Sequence, residues 1–275
     1  MPEIAEVETV RNTLKKQILN KKMTNVQILY GKMIEGDREH FKQNLINNEF
    51  TDIKRRGKWL IFELHDYYLL SHLRMEGKFF IKNKKDEIVK HEHIIFTFED
   101  ESELRYHDTR KFGRMNLIKK EELEKTEAIQ KQGFEPGEKE LTSDYLLEKF
   151  KNKKLPIKSV LLDQTIISGL GNIYANEVLF ASKINPFKSA CKITKEEAQE
   201  IVDTSKTIIE KAMSLGGTTI KSYTSSLGIT GRFQNYLNVH KKENEPCTRC
   251  KTKIKNEKIN GRSTYYCPNC QKKED

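Results

Sequence analysis

The sequence predicts an α+β fold with an N-terminal sheet or sandwich part and a C-terminal helical part. Three observations carry this. One amphipathic helix opens the 275-residue chain and a series of short strands follows it. A polar segment then gives way to helical periodicity. Four of the five cysteines gather near the C-terminal end.

The opening helix is expected over 3–19, because Ile4, Val7, Val10, Leu14 and Ile18 recur at helical spacing and charges fill the other faces. From 23 to 118 the pattern changes to short strands. The better ones are Val26–Tyr30, Trp59–Leu64, Tyr68–Leu73, Phe79–Ile81, His93–Phe98 and Leu104–His107, parted by turns such as Glu76-Gly77. Residues 119–140 are charged and punctuated by Gly133, Pro136 and Gly137, and read as an interdomain connection. Helices are expected near 142–151, 156–162, 172–182 and 194–214. The Gly-, Ser- and Thr-rich stretch 216–234 reads as a long loop, and a loop of that length is usually functional. The expected division is therefore 1–118, a linker at 119–140, a helical part at 141–240 and a cysteine-bearing part at 241–275.

The formal net charge is +10, which favours a polyanionic partner. No apolar run approaches the roughly 18–20 residues that span a bilayer. Met1 to Glu8 is acidic and lacks the basic start and apolar middle of a signal peptide, so the expected location is cytoplasmic.

The cysteines read Cys247-x2-Cys250, sixteen residues, then Cys267-x2-Cys270. Two thiolates two residues apart fit one edge of a tetrahedron, and two such pairs close a four-ligand site. With no open position, the expected ion is one structural Zn2+, iron being the alternative. Between the pairs, Asn260-Gly261 signals a tight β-hairpin, since both positions tolerate positive φ. Arg262 follows, among Lys251, Lys253, Lys255 and Lys258, which makes this hairpin a candidate phosphate-contacting finger.

Ser168-Gly169-Leu170-Gly171-Asn172 precedes the helix beginning at Ile173. The glycines permit close backbone approach, Asn172 suits an N-cap, and the helix amides would face an anion. A plain packing role fits this stretch equally well.

Several motifs then occur in a fixed order. The chain begins Pro2-Glu3-Ile4-Ala5-Glu6-Val7-Glu8-Thr9-Val10-Arg11. It continues with Lys58, His72-Leu73-Arg74-Met75-Glu76-Gly77, Asp108-Thr109-Arg110-Lys111-Phe112-Gly113 and Leu161-Leu162-Asp163-Gln164. Then follow Gly169-Leu170-Gly171-Asn172-Ile173-Tyr174-Ala175-Asn176-Glu177, Gly216-Gly217-Thr218-Thr219 and Tyr266-Cys267-Pro268-Asn269-Cys270-Gln271. This set resembles bacterial formamidopyrimidine-DNA glycosylase from residue 2 to 271. One departure is Ile4-Ala5, where that family usually has Leu-Pro.

The resemblance implies an N-terminal β-sandwich with its leading helix, then a helix–two-turns–helix domain with a β-hairpin zinc finger. It implies a glycosylase and AP lyase that excises oxidised purines from double-stranded DNA, acting as a monomer. The implied catalytic set is Pro2, Glu3, Lys58 and Arg262. The Pro2 amine, freed by loss of Met1, would be the nucleophile, and Glu3 the general acid/base. The implied DNA-binding set is His72, His91, Met75, Arg110, Phe112 and Asn172. Met75, Arg110 and Phe112 would fill the gap left by a flipped nucleotide. His72, Asn172 and Arg262 would neutralise or bind flanking phosphates, and His91 is a candidate of the same kind. Glu6 is expected to be structural, and Tyr223 and Tyr236 to pack.

Two other readings compete. An endonuclease VIII-like glycosylase for oxidised pyrimidines would share Pro2, Glu3 and the finger. Arg110, Phe112 and the Glu6-Val7-Glu8-Thr9-Val10 start favour the purine enzyme. A noncatalytic zinc-finger DNA-binding protein would explain the charge and the cysteines, but not Pro2-Glu3 or the filler residues.

Overall fold

The computed structural model describes residues 1–218 and 231–273. The chain forms two compact units. One comprises Met1–Gln130 with Gly216–Arg232, and the other Lys131–Leu215 with Phe233–Asp275.

The first unit begins with helix α1 (Ile4–Ile18), whose Val7, Val10, Leu14 and Ile18 are all buried, as their spacing predicts. Two sheets follow. The first has four strands in the order β1 (Met23–Ile28), β7 (Glu92–Phe98), β8 (Ser102–His107), β6 (Lys78–Asn83). The second has five, in the order β2 (Ile34–Glu35), β9 (Arg114–Lys119), β5 (Tyr67–His72), β4 (Trp59–Glu63), β3 (Asp52–Arg56). One core joins them. Val26, Ile94, Phe96 and Leu104 from the first sheet meet Ile53, Leu60, Phe62, Leu69 and Met115 from the second, together with the α1 stripe. This is the expected sandwich with its leading helix.

Alternation along β4 explains why the whole strand reads as apolar. Leu60 and Phe62 point into the shared core, while Trp59 and Ile61 join Leu70 and Ile118 on the other face. Leu123, Ala128 and Ile129 cover that second face. Those residues lie in or beside helix α3 (Glu127–Gln130), inside the segment read as a connection. The all-strand reading of 23–118 is corrected at one place. Arg38–Leu45 is a helix, α2, capped by Asp37, whose carboxylate accepts the His40 N–H at 2.6 Å. Only Phe41 and Leu45 of α2 are buried, too few apolar positions for a periodicity to register.

The second unit contains α4 (Ser143–Phe150), α5 (Ile157–Leu161), α6 (Asn172–Ala181) and α7 (Lys195–Ser214), close to the expected bounds. Helix α6 is buried from Ile173 to Phe180, α7 and α5 pack against it, and α4 packs against α7. Thr194 caps α7 by accepting the Glu197 N–H at 3.2 Å, and the Glu197 carboxylate returns the contact to the Thr194 N–H at 2.9 Å. Strands β10 (Lys255–Ile259) and β11 (Arg262–Tyr266) form the predicted hairpin. Asn260 and Gly261 both take positive φ, 48° and 76°, as an Asn-Gly turn requires. Among the described residues, no helix is long and apolar enough to cross a membrane.

Candidate active site and nucleic-acid interface

Pro2 and Glu3 are buried at the entry to α1. Glu6, one turn on, accepts the Glu3 N–H at 2.9 Å. Its other oxygen accepts the Thr218 N–H at 2.7 Å and the Thr218 hydroxyl at 2.9 Å. Lys58 is 5% exposed in the turn after Gly57, whose φ is 55°. Burial holds the Met1 amine below its ordinary pKa, Glu3 and Glu6 oppose that shift, and Lys58 adds to it. The chain start is therefore a half-buried position near the Glu3, Glu6 and Glu76 carboxylates and the Lys58 ammonium.

The residues expected to fill a vacated base position stand on two loops of the same unit. Met75 is 39% exposed and Phe112 46%, so neither belongs to the core. The Arg110 guanidinium lies 4.8 Å from the centre of the Phe112 ring. Asp108, fully buried, shapes their loop. Its carboxylate accepts the N–H groups of Arg110, Phe112 and Gly113 at 2.9, 2.9 and 2.8 Å. The sequence motif contains Asp108 without assigning it a role. The Asp-x-Arg spacing of an Asx-type turn was the available signal.

His72 closes strand β5. Its ring is half-buried against Trp59, with centroids 4.8 Å apart, and desolvation lowers its pKa to about 3, with Arg74 and Lys58 adding to the shift. It is therefore neutral at pH 7 in the DNA-free protein. Its Nδ1 accepts the Arg74 N–H at 2.9 Å, which leaves the proton on Nε2. Its capacity towards an anion is that of a neutral donor. His91 sits at φ 75° with its ring 5.7 Å from that of His107. The His91 carbonyl accepts the Asp108 N–H at 3.0 Å, which ties it to the Arg110 loop.

In the second unit, Arg262 is exposed directly after the hairpin turn. The next carbonyl, that of Ser263, accepts the Asn172 side-chain amide at 3.1 Å and the Lys158 ammonium at 2.7 Å. Lys158 is fully buried and also donates to the Thr264 hydroxyl at 2.8 Å. Sequence reading missed Lys158, one lysine among many in a basic chain. Asn172 was expected as an N-cap. The cap is Gly171, and Asn172 is the first helical residue, free to reach the hairpin. Tyr236, expected to pack, is 48% exposed, with Lys211 3.9 Å from its ring centre. Tyr223 and most of the 216–234 loop lie outside the described residues.

The four clustered cysteines place their sulfurs within 4.8 Å of one another, with Cys250–Cys267 at 3.4 Å and Cys247–Cys270 at 3.9 Å. Zn–S bonds of about 2.3 Å in a tetrahedron give S···S edges of about 3.8 Å, so the residues fit one structural zinc. The site is anchored to α6. Cys247 and Cys267 pack with Phe180, and Arg249 donates to the Phe180 carbonyl at 2.8 Å. The buried Glu177 carboxylate accepts the N–H groups of Asn238, Val239 and His240 at 2.8, 3.0 and 2.9 Å.

Comparison with known proteins bears on the same residues. Residues 1–115 match the formamidopyrimidine-DNA glycosylase N-terminal domain, 132–224 the formamidopyrimidine-DNA glycosylase H2TH domain, and 244–273 a zinc finger found in FPG and IleRS. Formamidopyrimidine-DNA glycosylase of Ligilactobacillus salivarius is 44% identical over 98% of this chain and 99% of the relative. That of Listeria monocytogenes serotype 4b is 42% identical over 99% and 100%. A Lactococcus lactis FPG mutant in complex with Fapy-dG containing DNA superposes with a TM-score of 0.94 at 38% identity, covering 99% of this chain and 100% of that one. The L. lactis Fpg complex with abasic-site DNA gives 0.93 at 39%, covering 98% and 100%.

A sandwich with a buried Pro-Glu start, two loops exposing Met75 and Phe112, and a helix-anchored four-cysteine hairpin, matched by these family models, defines a zinc-finger DNA glycosylase of base excision repair. Within that class, the chain belongs to the formamidopyrimidine-DNA glycosylase family, whose members are glycosylases and AP lyases.

Proposed function

We propose that this enzyme removes oxidised purines, 8-oxoguanine and formamidopyrimidines, from double-stranded DNA and cuts the strand with the Pro2 amine as nucleophile. The observation that carries the assignment is the buried Pro2-Glu3 start of the chain, with the Glu3 N–H held by the Glu6 carboxylate. Loss of Met1 converts the Pro2 nitrogen from an amide into a secondary amine. Its lone pair attacks C1′ of the flipped nucleotide. The glycosidic bond breaks, and the base leaves with the bonding pair and takes up a proton. Glu3 protonates the ring oxygen, the sugar opens, and a positively charged iminium forms. The iminium draws in the electrons released when the C2′ proton is lost. The 3′ phosphate is expelled, and then the 5′ phosphate in a second elimination.

The remaining residues would act on DNA. Met75 and Phe112 occupy the vacated space, and the Arg110 guanidinium hydrogen-bonds the orphaned base. Lys58 and Arg262 supply positive charge to phosphate, Asn172 and His91 supply donors, and His72 contributes a neutral donor. Residues 1–118 would form the catalytic part, 141–240 the helical DNA-binding part and 241–275 the finger. The enzyme would act as a monomer on chromosomal DNA in the bacterial cytoplasm, in keeping with its bacterial relatives.

Borohydride trapping tests the reading. Protein with a Pro2 N-terminus should form a covalent adduct with a duplex carrying 8-oxoguanine opposite cytosine, far more than with an oxidised-pyrimidine duplex. Pro2→Gly should bind but lose most cleavage. Equal cleavage by both proteins overturns the nucleophile assignment, and stronger trapping on the pyrimidine lesion moves the substrate class.

A further inference from the structure

The loop carrying Met75 and the loop carrying Arg110 and Phe112 are each shaped from within. The Gly77 N–H closes the first by donating to the Leu73 carbonyl at 2.9 Å. The Asp108 carboxylate fixes the second through three amides. Neither device sets the position of one loop relative to the other. Two shared contacts do. Beneath, the fully buried Tyr106 lies against both backbones, so that a Cβ at Gly77 or at Gly113 would overlap its hydroxyl oxygen. Above, the Thr109 hydroxyl donates to the Glu76 carboxylate, bridging the residue after Met75 to the residue before Arg110.

We infer that Thr109 is a positioning residue: its hydrogen bond to Glu76 latches the two filler loops together, so that Met75 and Arg110 enter the duplex as one body. The inference rests on the reading of Met75 and Arg110 as fillers. Tyr106 forms a fulcrum, because a hydroxyl wedged between two glycine backbones resists approach but does not prevent the loops from sliding past each other. The exposed Thr109–Glu76 bond removes that freedom. Insertion of Met75 then brings the Arg110 guanidinium to the opposite strand in register. Without the latch, Arg110 would have to be ordered separately, and part of its preference for one opposite base would be lost to that ordering.

The test measures affinity for duplexes carrying a tetrahydrofuran abasic analogue opposite cytosine or adenine, which reads positioning without chemistry. Thr109→Val should lower the cytosine-over-adenine preference about three- to tenfold, the scale of one hydrogen bond. Thr109→Ser should restore it, and Glu76→Ala should reproduce the loss without adding to Thr109→Val. Met75→Ala and Arg110→Ala should be non-additive in the native background and additive with Val at 109. If Arg110→Ala abolishes the preference while Thr109→Val retains it and the Met75–Arg110 effects are already additive, the latch is overturned and the filler reading stands. If Arg110→Ala itself leaves the preference unchanged, both fall.

Discussion

Glu6 and Thr218 are joined by two hydrogen bonds across 212 positions of sequence, from the Thr218 N–H at 2.7 Å and its hydroxyl at 2.9 Å to one carboxylate oxygen. The other Glu6 oxygen holds the Glu3 N–H. One buried side chain thus ties the Pro2-Glu3 start to the chain entering residues 219–230. Glu6→Gln replaces one acceptor with a donor facing an N–H, and should cost about 1–3 kcal/mol. Gly217 has φ 75°, and a Cβ there would lie 2.7 Å from the same Glu6 oxygen, so Gly217→Ala should be destabilising too. Both variants should show a lower Tm and weaker borohydride trapping. A full-strength adduct from Glu6→Gln would show that the tie is dispensable for chemistry.

His72 makes stability depend on pH. Its pKa is about 3 in the folded protein against an ordinary value of 6.5. Above pH 6.5 neither state is protonated at this ring. Below it the unfolded chain binds a proton that the folded protein refuses, so this contribution is lost as pH falls from 6.5 towards 3. Between pH 6.5 and 5 the loss amounts to at most about 2 kcal/mol. His240, lowered to about 4 by burial, acts with the same sign and persists in a His72 variant. Urea unfolding of the native protein and of His72→Gln at pH 7.5 and pH 5 checks this. The native protein should lose more stability between the two than the variant does.

Lys158 should matter to DNA binding without touching DNA. Its buried ammonium and the Asn172 amide share the Ser263 carbonyl, which fixes the backbone beside Arg262. Lys158→Met keeps the apolar stem and removes both hydrogen bonds, to Ser263 and to Thr264. It should weaken duplex affinity roughly tenfold or more while zinc content stays at one per chain. Equal weakening by Arg262→Ala, and no further loss in the double variant, would locate the effect at Arg262.

Zinc removal should loosen the second unit locally. A strong chelator, or Cys250→Ser, releases the sulfurs that pack with Phe180 and frees the hairpin bearing Arg262. Protease cleavage between 241 and 273 and loss of DNA binding should follow, while the β-sandwich signal in circular dichroism persists. Loss of the sandwich signal as well would show that the metal supports the first unit too.

Much of this protein was legible in its sequence because the responsible interactions are local. The apolar stripe of α1, the apolar runs of β4 and β7, the Asn260-Gly261 turn and the two Cys-x2-Cys pairs each depend on residues within one or two turns of each other. Period and turn chemistry suffice for such features. The order of the motifs then carried the family and the candidate residues Pro2, Glu3, Arg110 and Arg262. Other features needed the assembled chain. Strand β2 has two residues, β3 buries only Ile53, and α2 buries only Phe41 and Leu45, so too few apolar positions mark a period and neighbours hold these elements in place. The neutrality of His72 follows from burial against Trp59, which no spacing reveals. Lys158 meets Ser263 across 105 positions, Glu6 meets Thr218 across 212, and Thr109 meets Glu76 across 33. A side chain's partner at such separation is set by where the backbone returns. The sequence therefore named the chemical groups, and the tertiary structure decided which of them are charged, which are held, and by what.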